Sequence, residues 1–233
     1  MIPSREGRPG RVFVLTRTIA LLVALQFPAS LTWGATSSDS VLVVSDVDDT
    51  IKDTQVTLFD TQLRNPAIIF DGLRPWRPVP GMARLYQDWK KTLPAHFHYV
   101  SAGPLRYDRR FKEFLTSSGF PDGLFSLRTG GNLIASHEYK IRVLTPILTK
   151  HPDLLVLFVG DSGERDPESY GVLARRFPRQ TLGILIRKVT DADRTSPRYR
   201  EAFSGVPPSR WALFRQPAQV ATLPLRWLMD RSR

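Results

Sequence analysis

The sequence predicts an α/β fold in which a Rossmann-like parallel sheet forms the middle of three layers. Short, continuously apolar runs alternate along the chain with segments whose apolar residues recur at helical spacing. Continuous apolar runs are typical of strands buried on both faces, and their alternation with helices favours a parallel sheet covered on both sides. Polar and acidic residues directly follow three of these runs, as expected at the edge where such sheets bind ligands.

Each element is predicted from the residue pattern of its own segment. Apolar, largely β-branched or aromatic runs predict six strands, at Val41–Val44, Phe97–Val100, Leu124–Leu127, Leu154–Val159, Thr181–Ile186 and Trp211–Phe214. Apolar residues three or four positions apart predict helices within Met82–Trp89, Phe111–Leu115, Ile141–Leu148, Tyr170–Phe177 and Pro217–Leu223. A long proline-rich segment separates the first strand from the first helix, where we expect a loop or flap.

The first 34 residues are predicted to be a signal peptide. Four arginines precede the apolar run Thr18–Phe27, and small residues follow near Gly34; this order of basic, apolar and small residues is typical of a cleaved secretory signal. The alternative is an uncleaved membrane anchor, but the apolar run is shorter than the roughly 20 residues that span a bilayer. We therefore expect a secreted or periplasmic protein with one domain, residues 35–233.

Composition limits the chemistry and the partners. The chain has no cysteine, which excludes disulfides, thiolate metal sites and thiol nucleophiles. Removal of residues 1–34 takes away four Arg and one Glu, which lowers the formal net charge from +11 to +8. A basic exported protein meets anionic lipid head groups, wall polymers and nucleic acid. Charge alone favours a solvated basic surface that aids solubility, and peripheral membrane contact is the alternative. No nucleic-acid-binding motif is evident, and the sequence does not specify an oligomeric state.

The residues after three strands suggest phosphoryl transfer. Asp46, Asp48 and Asp49 follow the first strand, Ser101 follows the second, and Asp161 and Asp166 follow the fourth. Carboxylates brought together from two strand ends repel one another unless a cation lies between them, and hard oxygen ligands suit Mg²⁺. A carboxylate beside such a metal can attack phosphorus. Ser101 can donate a hydrogen bond to the phosphoryl group, and Lys140, at the start of a helix, can supply positive charge.

Other interpretations of these residues are weaker. Asp46 and Asp48 could cap a turn or begin a calcium-binding loop. A helix–loop–helix calcium loop needs Gly at its sixth position and Glu at its twelfth, and those positions hold Ile51 and Thr57. The four histidines lack metal-ligand spacing, although His137 lies close to Lys140 along the chain.

The motifs resemble those of a known superfamily of phosphotransferases. The run Asp46-Val47-Asp48-Asp49-Thr50 is similar to the first motif, DxDx[TV], of the haloacid dehalogenase superfamily, and Ser101, Lys140 and the pair Asp161/Asp166 match its second, third and fourth motifs in order. The segments DVDDTIKDT, PVPGM, SAGP and VGDSGERD resemble more narrowly the phosphatidate phosphatase family of the yeast actin-patch-associated type. The resemblance extends from Val41 to Ile186.

The resemblance implies a role for each matching residue. Asp46 would be the nucleophile and a Mg²⁺ ligand. Asp48 would be the general acid and base, and its backbone carbonyl would bind the metal. Ser101 and Lys140 would bind the substrate phosphate, Asp161 would complete the metal site, and Asp166 would orient the metal from behind its ligands or through water. Position 49 is Asp where the superfamily often has Gly.

The segment between the first motif and Ser101 leaves room for a small flap but not for a large cap. It contains Leu58, Phe59, Ile68, Ile69, Phe70, Leu73 and Trp76, interleaved with Arg64, Arg74 and Arg77. Apolar side chains beside arginines suit an anionic lipid surface, although they could equally pack the flap onto the core. The expected activity is Mg²⁺-dependent hydrolysis of phosphatidate to diacylglycerol and phosphate. The alternatives are the same chemistry on a nucleotide, sugar phosphate or phosphoprotein, and a non-catalytic protein that binds lipid or phosphate.

Overall fold

A single parallel sheet of six strands organises the protein. A computed structural model describes residues 40–54, 75–104, 107–128 and 136–231. The strands are β1 Val41–Ser45, β2 Ala95–Pro104, β3 Leu124–Arg128, β4 Leu155–Asp161, β5 Thr181–Arg187 and β6 Trp211–Phe214. Their order across the sheet is β3-β2-β1-β4-β5-β6, and every pair is parallel. The predicted Rossmann-like α/β fold is thereby confirmed.

Six α-helices accompany the sheet in the described part of the chain. They are α1 Met82–Thr92, α2 Asp108–Ser118, α3 Ser136–Lys150, α4 Asp166–Arg176, α5 Pro197–Ala202 and α6 Leu223–Met229. Short 3₁₀ helices lie at Pro208–Arg210 and Pro217–Val220. None of these helices combines the length and the apolarity needed to cross a membrane, considering only the described residues.

The sheet is buried on both faces, because alternate residues of its central strands point to opposite sides. Val41 and Val43 of β1 belong to a core that also contains apolar residues of α1, α2 and α6. Leu42 and Val44 point to the other side and are equally buried. On that side Phe158 of β4 stacks on a tyrosine of α4. Full burial on both faces explains why β1 and β4 contain no alternating polar residues.

The C-terminal region differs from the sequence prediction. The predicted helix at Pro217–Leu223 is wrong in extent: a 3₁₀ helix ends at Val220, and α6 begins at Leu223 with Pro224 in its first turn. Proline is favoured in the first turn of a helix and cannot continue one, which places the break there. The sequence also gave no indication of α5. Trp227 of α6 covers Gly183 of β5, where an added Cβ would lie 2.1 Å from the indole ring.

Several predicted features lie outside the described residues. These are the signal peptide at residues 1–34 and all of the flap except its last residues. Trp76, at the end of the flap, packs edge-on against Phe111 and Phe114 of α2, with ring centroids 4.9 and 5.9 Å away. Of the two alternatives considered for the flap residues, Trp76 follows the second and packs onto the core. Arg77 is exposed.

Candidate active site

The carboxyl ends of β1 and β4 bring the predicted acidic residues together. The two strands are neighbours at the centre of the sheet, and their parallel register pairs Ser45 with Val159. The N–H of Asp46 continues this pairing by donating to the carbonyl of Val159 at 2.9 Å. Asp161 ends β4 two residues later. Because both strands run in the same direction, Asp46 and Asp161 reach the same edge of the sheet.

Lys140 lies at the centre of the acidic cluster. Its side chain is completely buried, and its Nζ lies 2.7 Å from Oδ1 of Asp46 and 3.3 Å from Oε2 of Glu164. It also donates to Oδ1 of Asp166. Burial alone would lower the pKa of Lys140, but the carboxylates of Asp166, Asp46 and Glu164 outweigh burial and raise it. The ammonium group is therefore held in its charged form.

Asp46 is held by contacts to both of its oxygens. Lys140 contacts Oδ1, and the hydroxyl of Thr50 donates to Oδ2 at 3.1 Å. Burial raises the pKa of Asp46 well above its usual value and neighbouring carboxylates add to the shift, while the charge of Lys140 opposes it. The ionised form of Asp46 is therefore disfavoured in this environment, and a bound cation would stabilise it.

Asp161 has one satisfied and one unsatisfied oxygen. Its Oδ1 accepts hydrogen bonds from the backbone N–H groups of Gly163 at 2.5 Å and Glu164 at 3.0 Å. Its Oδ2 is buried and has no hydrogen-bond partner among the described residues. Burial raises the pKa of Asp161 well above its usual value, and the nearby Asp166 carboxylate raises it further. A buried, unpaired carboxylate oxygen needs a partner, and a metal ion would be one.

Asp166, the first residue of α4, accepts a hydrogen bond from the backbone of Asp161. Its Oδ2 accepts the N–H of Asp161 at 3.1 Å, and its other oxygen accepts from Lys140. Burial raises the pKa of Asp166 to about 6, although the charge of Lys140 opposes the shift. One carboxylate oxygen from each of Asp46, Asp161 and Asp166 lies within 4.8 Å of the other two. This set of hard oxygens suits a divalent cation.

Asp48 lies in a different environment from Asp46. Its side chain is partly exposed, and its Oδ1 accepts from Lys52 at 2.7 Å and from the hydroxyl of Thr54 at 2.9 Å. Its Oδ2 accepts from Ser101 at 3.3 Å. Burial would raise the pKa of Asp48, but the charge and hydrogen bond of Lys52 outweigh burial and lower it. The pKa values of Asp46 and Asp48 are therefore shifted in opposite directions.

Ser101 is placed where the sequence predicted, at the same edge as Asp48. It is a buried residue of β2, and its Oγ also accepts the N–H of Gly103 at 2.9 Å. The hydroxyl is thus oriented before any substrate binds.

The residue after Asp48 adopts an unusual backbone conformation. Asp49 has a φ of 53°, in the left-handed region that glycine adopts freely and aspartate tolerates better than most residues. Asp49 therefore occupies a backbone position that glycine could also adopt without strain. The Asp49 side chain accepts the N–H of Thr54 at 3.0 Å, and its carbonyl accepts from Arg187 at 2.5 Å.

Sequence reasoning missed Lys52 and Thr54. The side chain of Lys52 is 3% exposed, and its ammonium group lies 4.5 Å from the centre of the Trp76 ring. The spacing of four residues between Asp48 and Lys52 is the feature of the sequence that could have indicated this ion pair. His137 was considered as a site residue because of its place in the chain. Its backbone carbonyl accepts from Ser169 at 3.5 Å, and the cluster of candidate ligand atoms in the described residues contains no histidine.

Comparisons with known proteins agree with the motif pattern. Residues 41–188 match the family described as "Phosphatidate phosphatase APP1, catalytic domain". The chain is 30% identical over 164 residues to phosphatidate phosphatase APP1 of Saccharomyces cerevisiae, a match that covers 68% of this chain and 28% of the yeast protein. It is 28% identical over 165 residues to an uncharacterized protein of Schizosaccharomyces pombe, covering 65% of this chain and 26% of that protein. The match thus spans little more than a quarter of each relative.

Solved structures give only distant similarities. A protein assigned as a beta-phosphoglucomutase from Thermotoga maritima is 13% identical, with a TM-score of 0.46, covering 79% of this chain and 98% of that one. UDP-GlcNAc 2-epimerase from Methanocaldococcus jannaschii is 11% identical, with a TM-score of 0.41, covering 83% and 42% of the two chains. Similarities of this size do not bear on function.

Proposed function

The chain belongs to the family of the phosphatidate phosphatase APP1 catalytic domain, and we propose that it is a phosphoric monoester hydrolase that converts phosphatidate to diacylglycerol and phosphate. The observation that carries the proposal is the pair of aspartates with opposite environments. Asp46 is buried beside Lys140, whereas Asp48 is partly exposed beside Lys52 and Ser101. Lys140 favours the ionised form of Asp46 that a nucleophile needs. The partial exposure of Asp48 beside Ser101 suits a group that exchanges protons with substrate and water.

Asp46 acts as the nucleophile. One of its carboxylate oxygens forms a bond to phosphorus while the bond between phosphorus and the glycerol oxygen breaks. Lys140 and Thr50 hold the carboxylate in place during the attack, and Lys140 offsets negative charge on the phosphoryl oxygens. The product of this step is a phosphoryl group covalently attached to Asp46, and the lipid alcohol leaves.

Asp48 carries the proton in both half-reactions. It donates a proton to the departing glycerol oxygen and then takes one from a water molecule, which attacks phosphorus and displaces Asp46. Without substrate, the pKa of Asp48 is lowered. A bound phosphate carries negative charge, which raises the pKa of a nearby carboxyl group. Ser101 orients Asp48 and can donate to the phosphoryl group once substrate is present.

A Mg²⁺ ion would bind to Asp46 and Asp161. The unpaired Oδ2 of Asp161 and the raised pKa of both carboxyl groups support this assignment. We also infer a ligand from the backbone carbonyl of Asp48, and an orienting role for Asp166. When bound, the ion neutralises charge on the phosphoryl oxygens. Hard oxygen ligands without cysteine or histidine favour Mg²⁺ over softer metals.

A lipid substrate is supported by the family and by the basic character of the chain. The relative in Saccharomyces cerevisiae is a phosphatidate phosphatase. Arg77 and Arg109 are exposed, and the guanidinium of Arg110 lies 4.6 Å from the centre of the Trp76 ring. Arginines beside aromatic residues suit an anionic membrane surface, so we propose peripheral contact with the lipid that holds the substrate.

Export is proposed from the N-terminal sequence alone. A basic segment, the apolar run Thr18–Phe27 and small residues near Gly34 support a cleaved signal and a secreted or periplasmic location. Amino-terminal sequencing of the protein recovered from fractionated cells tests this. A new amino terminus near residue 35 in the exported fraction is the expected result, and a full-length chain in the cytoplasmic fraction contradicts it.

Phosphate release from phosphatidate in mixed micelles tests the activity. We expect release that requires Mg²⁺ and is lost in Asp46→Asn. Release from a soluble nucleotide or sugar phosphate, but not from phosphatidate, would retain the chemistry and reject the lipid substrate. No release from any ester in a panel would favour a protein that binds lipid or phosphate without catalysis.

A further inference from the structure

Arg198 makes an unusually complete set of contacts next to the acidic cluster. It lies on α5, beyond residue 188, where the family match ends. Its Nε and Nη2 donate to the two oxygens of Glu168 at 2.9 and 3.1 Å, forming a bidentate ion pair. Its Nη1 donates to the carbonyl of Ser162 at 2.5 Å, and Nη2 also donates to the carbonyl of Glu164. The Arg198 side chain is only 16% exposed.

The carbonyl of Ser162 belongs to the same peptide unit as the N–H of Gly163. That N–H donates to Oδ1 of Asp161 at 2.5 Å. A peptide unit is planar, and in the trans form its C=O and N–H point in opposite directions. Arg198 therefore binds the carbonyl of this rigid peptide unit, while the N–H on the opposite side of the same unit binds Asp161.

A second contact acts on the next part of the same loop. Arg198 donates to the carbonyl of Glu164, while the N–H of Glu164 donates to Oδ1 of Asp161 at 3.0 Å. The hydroxyl of Ser162 accepts the N–H groups of Val189 and Thr190 at 2.9 and 3.0 Å. The loop is thus fixed by Arg198 and by the segment that follows β5.

The two N–H groups occupy Oδ1 of Asp161 and leave its Oδ2 without a hydrogen-bond partner among the described residues. The orientation of the loop therefore decides where the unpaired oxygen points. We propose that Arg198 is a positioning residue for the metal site: it fixes the loop of residues 162–165 so that Asp161 presents Oδ2 to a divalent cation. This inference rests on the proposed function, because it assumes that a metal binds there.

Lysine cannot replace Arg198 fully. A guanidinium group offers several donors in one plane, whereas an ammonium group is a single point charge. Arg198 contacts one carboxylate and two carbonyls at the same time. Arg198→Lys retains the charge but loses this geometry, so it separates the effect of charge from the effect of orientation.

Metal binding, measured independently of turnover, tests the inference. Mn²⁺ serves as the probe, because carboxylate ligands suit Mg²⁺ and Mn²⁺ alike, and electron paramagnetic resonance reports the free ion. Residues behind metal ligands commonly contribute about 10- to 100-fold in affinity. We expect a loss of that size in Arg198→Met and a smaller loss in Arg198→Lys. Arg200→Met changes an exposed arginine of the same helix and should bind Mn²⁺ like the wild type.

A second measurement distinguishes positioning from general structural damage. In phosphate-release assays, raising the Mg²⁺ concentration should restore the kcat of Arg198→Met towards that of the wild type, with little change in the KM for the ester. Damage to the fold would lower kcat at every Mg²⁺ concentration. If Arg198→Met does not fold, the Mn²⁺ affinity of Arg198→Lys decides the question.

Each outcome bears on a different claim. Equal Mn²⁺ affinity in the wild type and in the Arg198 variants overturns the positioning role and leaves the proposed function intact. A wild-type chain that binds neither Mn²⁺ nor Mg²⁺ overturns the metal requirement of the proposed function, and this inference with it.

Discussion

The ammonium group of Lys52 lies 2.7 Å from Oδ1 of Asp48, and this ion pair separates the behaviour of Asp48 from that of Asp46. Burial raises the pKa of Asp46. At Asp48 burial acts in the same direction, but the charge and hydrogen bond of Lys52 outweigh it and lower the pKa. Each carboxyl group thus lies beside a lysine that lowers its pKa, but only at Asp48 does the lysine outweigh burial.

Replacing Lys52 by methionine should move the pH profile of the enzyme to higher pH. Loss of the positive charge raises the pKa of Asp48. In the proposed mechanism the first half-reaction needs Asp48 protonated and the second needs it ionised, so the pH limit of each step moves in the same direction. The measurement is kcat and kcat/KM against pH. Lys90→Met, an exposed lysine on α1, is the matched control, and an unshifted profile in Lys52→Met would contradict the role of this ion pair.

Replacing Asp46 by asparagine should abolish turnover without unfolding the protein. Removal of a nucleophile costs roughly 10⁴-fold or more in kcat. The same change removes one buried negative charge from a cluster in which carboxylates raise one another's pKa, so the metal-free protein should melt at the same temperature or higher. Calorimetry in a chelator measures this, with the exposed Asp122→Asn as control. A marked drop in Tm would show that the Asp46–Lys140 ion pair outweighs the repulsion.

Adding a methyl group at Gly160 should damage the site more than the fold. An added Cβ would lie 2.7 Å from Cβ of Asp166, so Asp166 must shift from the position in which it contacts Asp161 and Lys140. We expect kcat to fall by about 10- to 100-fold, as for other residues that support metal ligands. Gly183→Ala is the matched control, because it crowds Trp227 instead. Both variants should lose stability, but only Gly160→Ala should lose kcat. Equal kcat values for the two folded variants would show that Asp166 is not needed.

The buried imidazole of His98 should make the protein less stable in acid. Its Nε2 pairs with the hydroxyl of Ser126 at 2.9 Å, and burial lowers the pKa of His98 from 6.5 to about 4. Between those values the unfolded chain binds the proton and the folded chain does not. This contribution to stability is therefore complete above pH 6.5 and is lost as the pH falls towards 4.

The pKa difference at His98 corresponds to about 3 kcal/mol in the free energy of unfolding. Urea denaturation at pH 7 and pH 4.5 measures it, with His98→Gln compared with the wild type. The variant should lose less stability on acidification than the wild type. A parallel loss in the wild type and in His98→Gln would assign acid sensitivity to other groups.

Local patterns were sufficient to predict most of the sheet and to place the acidic residues together at one of its edges. The strands β1 and β4 are buried on both faces, so they appear in the sequence as unbroken apolar runs. Residues that follow such runs in a parallel sheet share one edge, which is why Asp46 and Asp161 could be placed together. The motif resemblance then assigned roles to Ser101 and Lys140.

Contacts made by distant segments could not be predicted in this way. Lys52 contacts Trp76, which lies much further along the chain, and Arg198 of α5 contacts the loop after β4. A single lysine or arginine does not produce a periodic pattern in the sequence, and the 6 residues of α5 are too few to show helical periodicity. Their roles depend on tertiary packing, which a pattern of apolar residues does not encode.

A polypeptide is synthesised from its amino end, and the strand order β3-β2-β1-β4-β5-β6 divides the active site between early and late segments. Asp46 and Asp48 emerge first, but Lys140, Asp161 and Asp166 follow only after β2, β3 and their helices. Closing the long loop between β1 and β4 costs chain entropy that is recovered only when the two strands pair. A growing chain therefore carries Asp46, the proposed nucleophile, without the groups that would make it reactive until β4 and α4 have been synthesised.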